Sequence, residues 1–484
     1  MTDPRPVGYI IGLLTAVLGV TMLIPMTADL MVGSANWSAF LISAMLTTLV
    51  GLAVALGCAS GARGGLDLRQ SFLLAALTWV VLPLFGTLPF LLGAPGATPF
   101  TDAMFEAMSG MTTTGTTVFT GLDDLPPGTL LWRSLLQWLG GLGIVIVALV
   151  FLPVMRVGGM QHFRSEAFDT LGKVLPRTLD VARALLQVYI GLTVLCVLAY
   201  VMAGMNGFEA LNHGLTTIAT GGFSTSDDSF AAFGAGAAYV GVVFMLLAGF
   251  PFIRYIQLAG GSLGPLWRDV QVRAYLRWTF YAVAAVLAWR LWHEAPDALE
   301  PAFRDTLFNV VSLWSGTGYG TADVSDWGAF PMLVVLVAGL IGACTASTGC
   351  SLKVFRYLVL FEAIKTQLRR IHSPNRVIPV RLGGKPLAED VINSVIALFA
   401  LFLFTFGLTA VLLSMTGLET RTAVTAAWTA ICNIGPAFGP GVGPTGAVDD
   451  FPTTAKWIMI WAMLLGRLEL LSVLVLFLPR FWRG

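Results

Sequence analysis

Hydrophobic positions in this chain come in long runs, not in strand-like alternation or narrow helical stripes. Apolar stretches fall at 8–30, 37–58, 71–93, 128–153, 182–203, 236–258, 275–293, 328–371, 391–415 and 455–479. A helix rises about 1.5 Å per residue and needs roughly 20 apolar residues to cross a bilayer core. The pattern therefore predicts ten spanning segments. The eighth is too long for one span. Its middle, Gly342-Ala343-Cys344-Thr345-Ala346-Ser347-Thr348-Gly349-Cys350-Ser351, is small and holds two glycines. Such a stretch is either a break within the membrane or a close-packing surface for a neighbouring helix. Lys353 and Arg356 follow it, at the end expected to face the cytoplasm.

The connections between spans are sorted by charge. Arg63, Arg69, Arg156, Arg164, Lys173, Arg177, Arg183, Arg268, Arg273, Arg277, Arg369, Arg370, Arg376, Arg381, Lys385, Arg480 and Arg483 fall on one side. Ten spans put both termini on that side, and the positive-inside rule makes it cytoplasmic. The opposite connections carry Asp102, Glu106, Asp123, Asp124, Glu209, Asp227, Asp228, Asp323, Asp449 and other acids, with few bases beyond Arg133, Arg304, Arg421 and Lys456. These acids are either left over once bases are drawn inward or, as a set, a vestibule that concentrates cations.

Composition agrees with the pattern. Of 484 residues only 11% are charged, and mean hydropathy is +0.80, against roughly 25% charged in soluble chains. This is an integral membrane protein. A net charge of +1, from 28 bases and 27 acids, excludes nucleic acid as a partner. The five cysteines and four histidines show no CxxC or Cys/His ligand spacing, which excludes a side-chain metal cluster of the usual kind. The N-terminus runs into its first apolar segment without a cleavage site, so no cleavable signal peptide is expected. The 53 glycines and 24 prolines exceed what plain spanning helices require.

Many of those glycines belong to an internal repeat, which has to be found before any fold is assigned. After residue 70 the chain repeats a spanning helix, a short amphipathic stretch, a Thr/Gly-rich turn and a second spanning helix. The short stretches run 100–115, 207–221, 302–318 and 419–435 and end at Gly115, Gly221, Gly318 and Gly435. Each is too short to cross a bilayer. Backbone that leaves a helix at membrane depth is tolerated only inside protein or beside a wet cavity. Four such turns around one axis meet that condition together. Glycine lets successive carbonyls face the axis, and rings of carbonyls replace the hydration shell of a monovalent cation. The half-helices would aim their partly negative C-terminal ends at the same point.

The fold class that follows is all-α integral membrane: two N-terminal helices plus four pseudo-fourfold helix–pore helix–filter–helix repeats around one pore. The expected divisions are 1–70 for the N-terminal extension, then repeats at 71–155, 156–260, 261–375 (with a broken second helix) and 376–484. Arg467 interrupts the last apolar span. An intramembrane charge marks a functional site by default, with snorkelling to the interface as the alternative. Glu469, two residues on, does not share its helix face.

A different class of function, a membrane-embedded enzyme on lipid or polyprenyl substrates, would need clustered acids or histidines at one membrane face. The acids are spread over four connections with no DDxxD or HxxxH set.

The segments 134–145, 216–225 (Thr-Thr-Ile-Ala-Thr-Gly-Gly-Phe-Ser-Thr), 317–323 (Thr-Gly-Tyr-Gly-Thr-Ala-Asp) and 433–436 (Asn-Ile-Gly-Pro) resemble the potassium-uptake proteins of the Trk/Ktr/HKT superfamily. The two extra N-terminal helices fit the Trk-type translocating subunit, and the resemblance covers nearly the whole chain. It implies K⁺ as the permeant ion, nothing covalently bound, and a K⁺ selectivity filter at Thr113, Thr114, Gly115, Thr220, Gly221, Thr317, Gly318, Asn433, Ile434 and Gly435. Plant relatives with serine at the first position favour Na⁺, so four glycines imply K⁺ preference. The fourth segment departs from the pattern after the match, continuing Pro436-Ala437-Phe438. The resemblance further implies that 342–351 is an intramembrane gating loop and that Arg467 is an electrostatic barrier beside it. It implies a homodimer in the bacterial inner membrane and a separate cytosolic, nucleotide-binding TrkA-type regulatory subunit, since this chain holds no Rossmann motif of its own. Symport is the competing expectation; without a side-chain proton relay near the filter, the sequence favours gated, channel-like flux over obligatory coupling.

Overall fold

In the computed structural model the described residues are 3–63, 66–147, 178–294, 298–376, 378–443, 446–468 and 470–483. The connection with Arg156, Arg164, Lys173 and Arg177, the division at 155/156, and Glu469 lie outside them.

Six of the ten apolar stretches are single helices long and apolar enough to cross a membrane: Arg5–Met31, Trp37–Gly57, Leu68–Leu92, Pro127–Ile146, Asp180–Met202 and Glu389–Ser414. A seventh is Val270–His293, whose 24 residues include Arg273, Arg277 and Arg290. The other three are interrupted. The stretch 236–258, expected as one span, is Ala235–Ala248 and Phe252–Ala259, set 93° apart. Pro251 lacks an N–H and disfavours helical backbone at Phe250, so the helix ends there. The stretch 328–371 divides into Ala329–Ile341 and Val354–His372, which decides for a break over continuous packing. The stretch 455–479 also departs from one helix: Thr453–Arg467 ends the regular run, and the described residues beyond it form the short helices Leu471–Leu474, Val475–Phe477 and Pro479–Arg483. There Asn433 Nδ2 donates to the Met463 carbonyl (3.0 Å), and a side chain inserted into the helix ladder is a recognised cause of a break.

The N-terminal helices pack with little between them. A side-chain carbon at Gly12 would lie 2.5 Å from the Ala55 amide and 2.7 Å from the Gly51 carbonyl, the close approach that small residues allow in membranes. The pair is tied to the first repeat by buried Asp29. Its carboxylate accepts from the Gly128 amide (2.7 Å) at the start of Pro127–Ile146 and from Asn36 Nδ2 (2.7 Å). The expected short stretches are helices Phe100–Met111, Gly207–Ile218, Leu299–Ser315 and Thr420–Cys432. All four bury their C-terminal halves at the centre of the helical core. One element was not foreseen, an antiparallel hairpin pairing Arg381–Leu382 with Lys385–Pro386.

Candidate cation pathway

Each half-helix unwinds in the same way. A residue with positive φ ends it: Thr113 (52°), Thr220 (50°), Gly316 (86°) and Asn433 (52°). The following amide then reaches back five residues. Thr114 bonds the Ser109 carbonyl (2.9 Å), Gly221 that of Thr216 (2.8 Å), Thr317 that of Ser312 (2.9 Å) and Ile434 that of Thr429 (3.1 Å). These bonds set Thr114, Gly221, Thr317 and Ile434 at one level and Gly115, Gly222, Gly318 and Gly435 at the next.

The second level closes into a ring. A side-chain carbon on Gly115 (φ +87°) would overlap the Gly221 carbonyl oxygen, and one on Gly222 (φ +82°) would overlap that of Thr317. One on Gly318 would lie 2.6 Å from the Gly435 nitrogen, and one on Gly435 3.6 Å from the Gly115 carbonyl carbon. Gly115, Gly222, Gly318 and Gly435 line a cavity of about 350 Å³. Gly221, expected as the second glycine of this set, sits one level deeper beside Gln137. The pair Thr220-Gly221 imitates Thr114-Gly115 and Thr317-Gly318. The aromatic residue after the ring glycine, Phe223 as Tyr319, is the sequence signal that carries the true register.

Side chains from neighbouring repeats hold the turns. Glu106 and Arg133, both essentially unexposed, pair at 2.7 Å. Glu106 accepts from the Thr117 hydroxyl (2.9 Å) and the Val118 amide (3.0 Å) just past the first turn. Arg133 donates to the Ser224 carbonyl (2.8 Å) past the second, with its guanidinium 4.2 Å from the centre of the Phe223 ring. Gln137 donates to the Gly221 carbonyl (2.6 Å) and accepts from the Phe223 amide (3.0 Å). The Thr116 hydroxyl donates to the Gly435 carbonyl (2.7 Å), and Asn433 Nδ2 to the Thr114 hydroxyl (2.8 Å). A buried charged pair with every arm satisfied fixes geometry. Charge sorting assigns Arg133 and Glu106 to the outer connections, yet both lie inside; the position of Arg133 within the apolar stretch 128–153 is the sequence signal for it.

Asp227, Asp228 and Asp323 line the same cavity as the ring. Asp227 is also used structurally, accepting from the Gly121 and Leu122 amides (2.9 and 3.2 Å). Asp102 instead pairs with Lys456 at 2.7 Å. The expected acidic vestibule is therefore carried by fewer free carboxylates than the sequence offers. Among the described residues no group of three or more His, Cys, Asp or Glu is arranged to hold a metal ion.

The segment 342–353 lies against the third turn. A side-chain carbon on Gly349 would fall 2.7 Å from the Ser315 carbonyl, and one on Gly316 lies 3.6 Å from the Cys350 amide. Residues Ala343 to Cys350 are all buried. Their backbone is satisfied by the other break: Cys344 N–H donates to the Gly249 carbonyl (3.0 Å), Phe252 N–H to that of Ala346 (2.9 Å), and the Thr348 hydroxyl to that of Ala248 (3.2 Å). Gln271 accepts from the Thr345 amide (3.0 Å). Arg467, 1% exposed, does not snorkel. Its guanidinium donates to the Gly140 carbonyl (3.3 Å), the Thr348 carbonyl (3.5 Å) and Cys350 Sγ. Lys353 and Arg356 are buried too.

A family profile described as TrkH, cation transport protein, matches residues 38–483. The chain belongs to the TrkH family. It is similar to the Trk system potassium uptake protein TrkH of Halomonas elongata, at 38% identity over 99% of both chains. Similarity to the protein of the same name from Escherichia coli K12 is 35%, again over 99% of both. In structure it matches the crystal structure of the potassium transporter TrkH from Vibrio parahaemolyticus with a TM-score of 0.91, at 33% identity, with both chains fully covered. The TrkH architecture agrees with the helix–half-helix–turn–helix repeats and N-terminal extension expected from the sequence. The break at 249–251 and the side-chain braces around the turns are the features of this TrkH-family chain that its hydropathy does not reveal.

Proposed function

We propose that this chain takes up potassium across the bacterial inner membrane, both termini cytoplasmic, through the ring formed by Gly115, Gly222, Gly318 and Gly435. The observation that carries this reading is the closed cyclic contact of four backbone turns at the ends of four half-helices. Carbonyls there replace the water shell of K⁺, and the half-helix C-termini favour a cation. Thr113, Thr114, Thr220, Gly221, Thr317, Asn433 and Ile434 form the filter wall beneath the ring. The names of the relatives, Trk system potassium uptake proteins, support K⁺ as the transported ion.

Below the ring, 342–351 acts as the gate and Arg467 as the fixed positive charge that limits K⁺ dwell in the closed pathway. Their direct hydrogen bonds support a coupled movement. An inward-negative potential supplies about 2.3 kcal/mol per charge per 100 mV, enough to drive uptake without a coupled ion. We therefore favour gated flux over symport. A homodimer and a TrkA-type nucleotide-binding subunit on the basic cytoplasmic face complete the reading. An enzymatic role on lipid or polyprenyl substrates is not favoured, because the site is built of backbone and hydroxyl oxygens and not of grouped acids or bases.

Purified protein in liposomes at set voltage tests the proposal. K⁺ influx should follow voltage alone, unchanged by an imposed pH or Na⁺ gradient, and Gly115→Ser should lower K⁺ over Na⁺ preference. Influx that requires either gradient would restore symport, and indifference of selectivity to Gly115→Ser would remove the filter.

A further inference from the structure

A second cavity, of about 280 Å³, lies at the end of the molecule away from the ring, where the hairpin 381–386 meets the start of Val270–His293. Among the described residues, Arg254, Arg268 and Lys385 line it, against the single carboxylate of Asp269. These three cations and one anion sum to a charge of plus two. Arg268 and Lys385 are exposed, and Asp269 is held by Arg254 at 2.7 Å. Beside the cavity, Leu263 and Trp267 stand 60% and 58% exposed. An exposed tryptophan next to arginine is the composition of a membrane–water interface, and basic pockets between helices on this face suit anionic headgroups.

The same residues lead to the buried segment. Asp269 accepts from the Gln271 amide (2.8 Å) with one oxygen and from Arg254 Nε (2.7 Å) with the other. The Gln271 side chain then accepts from the Thr345 amide (3.0 Å). A path of three hydrogen bonds therefore joins the cavity wall to 342–351.

We propose that this cavity binds the phosphate of an anionic phospholipid headgroup, and that occupancy steadies the arrangement in which Gln271 holds Thr345. Phosphate entering between Arg268 and Lys385 draws no charge from the Arg254–Asp269 pair; it neutralises the surplus and fixes the Gly264–Arg268 turn against the helix start. The binding part stands without the uptake reading, whereas its meaning as regulation rests on that reading. The apolar rim favours a lipid over a soluble phosphate compound.

The test uses the whole protein in nanodiscs of phosphatidylcholine with or without phosphatidylglycerol. Native mass spectrometry counts retained lipid, and hydrogen exchange follows the peptide covering 342–351. Wild type should retain phosphatidylglycerol over phosphatidylcholine, and the exposed double variant Arg268→Gln/Lys385→Gln should weaken that retention roughly thirtyfold, the effect of two basic side chains facing an anionic headgroup. Arg369→Gln/Arg376→Gln, which removes equal charge elsewhere, should leave it unchanged. Phosphatidylglycerol should slow exchange at 342–351 in wild type and not in the first double variant. Equal retention of the two lipids, or equal loss in both double variants, overturns the site. Competition and equal protection by inorganic phosphate in phosphatidylcholine alone would overturn the lipid assignment in favour of a free phosphate compound. Retention without protection would overturn the coupling. None of these readouts depends on K⁺ flux, so their failure is separable from failure of the transport proposal.

Discussion

The register of the second turn has a direct test, because two adjacent glycines have opposite structural circumstances. Gly222 has φ +82°, and a side-chain carbon there would overlap the Thr317 carbonyl oxygen of the next turn. An L-residue in left-handed backbone costs about 1–2 kcal/mol, and the overlap has to be relieved by moving backbone, not a flexible side chain. Gly221 is not in the left-handed region, and a carbon there would meet the side chain of Gln137. Gly222→Ser should therefore distort the ring itself. If only about 1.4 kcal/mol of that distortion falls unequally on K⁺ and Na⁺, the permeability ratio drops tenfold.

Gly221→Ser should instead displace Gln137 and weaken its bonds to the Gly221 carbonyl and Phe223 amide. Each is worth about 1 kcal/mol of stability, so this variant should melt earlier and lose less of its permeability ratio than Gly222→Ser does. Reversal potentials under biionic K⁺/Na⁺ conditions, with thermal unfolding of the same preparations, separate the two. A larger selectivity change in Gly221→Ser than in Gly222→Ser would refute the register.

Three further outcomes are expected. Arg467→Gln removes a buried charge that bonds the Thr348 carbonyl and Cys350, and basal K⁺ flux in liposomes should rise on the order of tenfold; unchanged or lower flux in folded protein would remove its role as a barrier. Arg133→Met leaves Glu106 buried and unpaired, costing about 3–5 kcal/mol, whereas Arg133→Met/Glu106→Leu should recover much of the loss; a double variant less stable than the first single would contradict the packing argument. Gln271→Leu strips the Thr345 amide of its acceptor at a cost of about 1–3 kcal/mol. Exchange at 342–351 should quicken, and if it does not, Gln271 is no restraint on that segment.

What the sequence reveals and conceals here follows from the range of the interactions involved. Spanning helices depend on average apolarity over some 20 residues, and most of them are legible in hydropathy. The half-helices are legible because one pattern recurs four times, so each copy corrects the noise in the others. The second turn defeats that comparison through a local accident: Gly221 and Gly222 are identical, so the comparison slips by one residue unless it is anchored on Phe223 as the match of Tyr319, which the bond from the Gly221 amide to the Thr216 carbonyl makes plain. Averaging also conceals the break at Gly249-Phe250-Pro251, since one proline barely alters mean hydropathy. The Glu106–Arg133 pair joins residues on two helices, and Arg467 meets partners at Gly140, Thr348 and Cys350. No spacing rule reaches across such distances in the chain.

The two breaks, at 249–251 and 342–353, also explain one another. A helix interrupted within hydrocarbon releases N–H and C=O groups that lipid cannot satisfy. Side by side, the breaks supply each other's partners: the carbonyls of Ala248 and Gly249 accept from Thr348 and Cys344, and that of Ala346 accepts from Phe252. Each break thus meets part of the other's backbone need, and the second and third repeats are broken at contacting positions. The consequence for gating is thermodynamic. If 342–351 moves aside, these three bonds open together, and each buried group left unmet costs about 1–3 kcal/mol unless water reaches it. Movement of the segment and wetting of the pathway below the ring are then one event. Water that enters satisfies the freed groups of both breaks and at the same time provides the medium into which the ion passes.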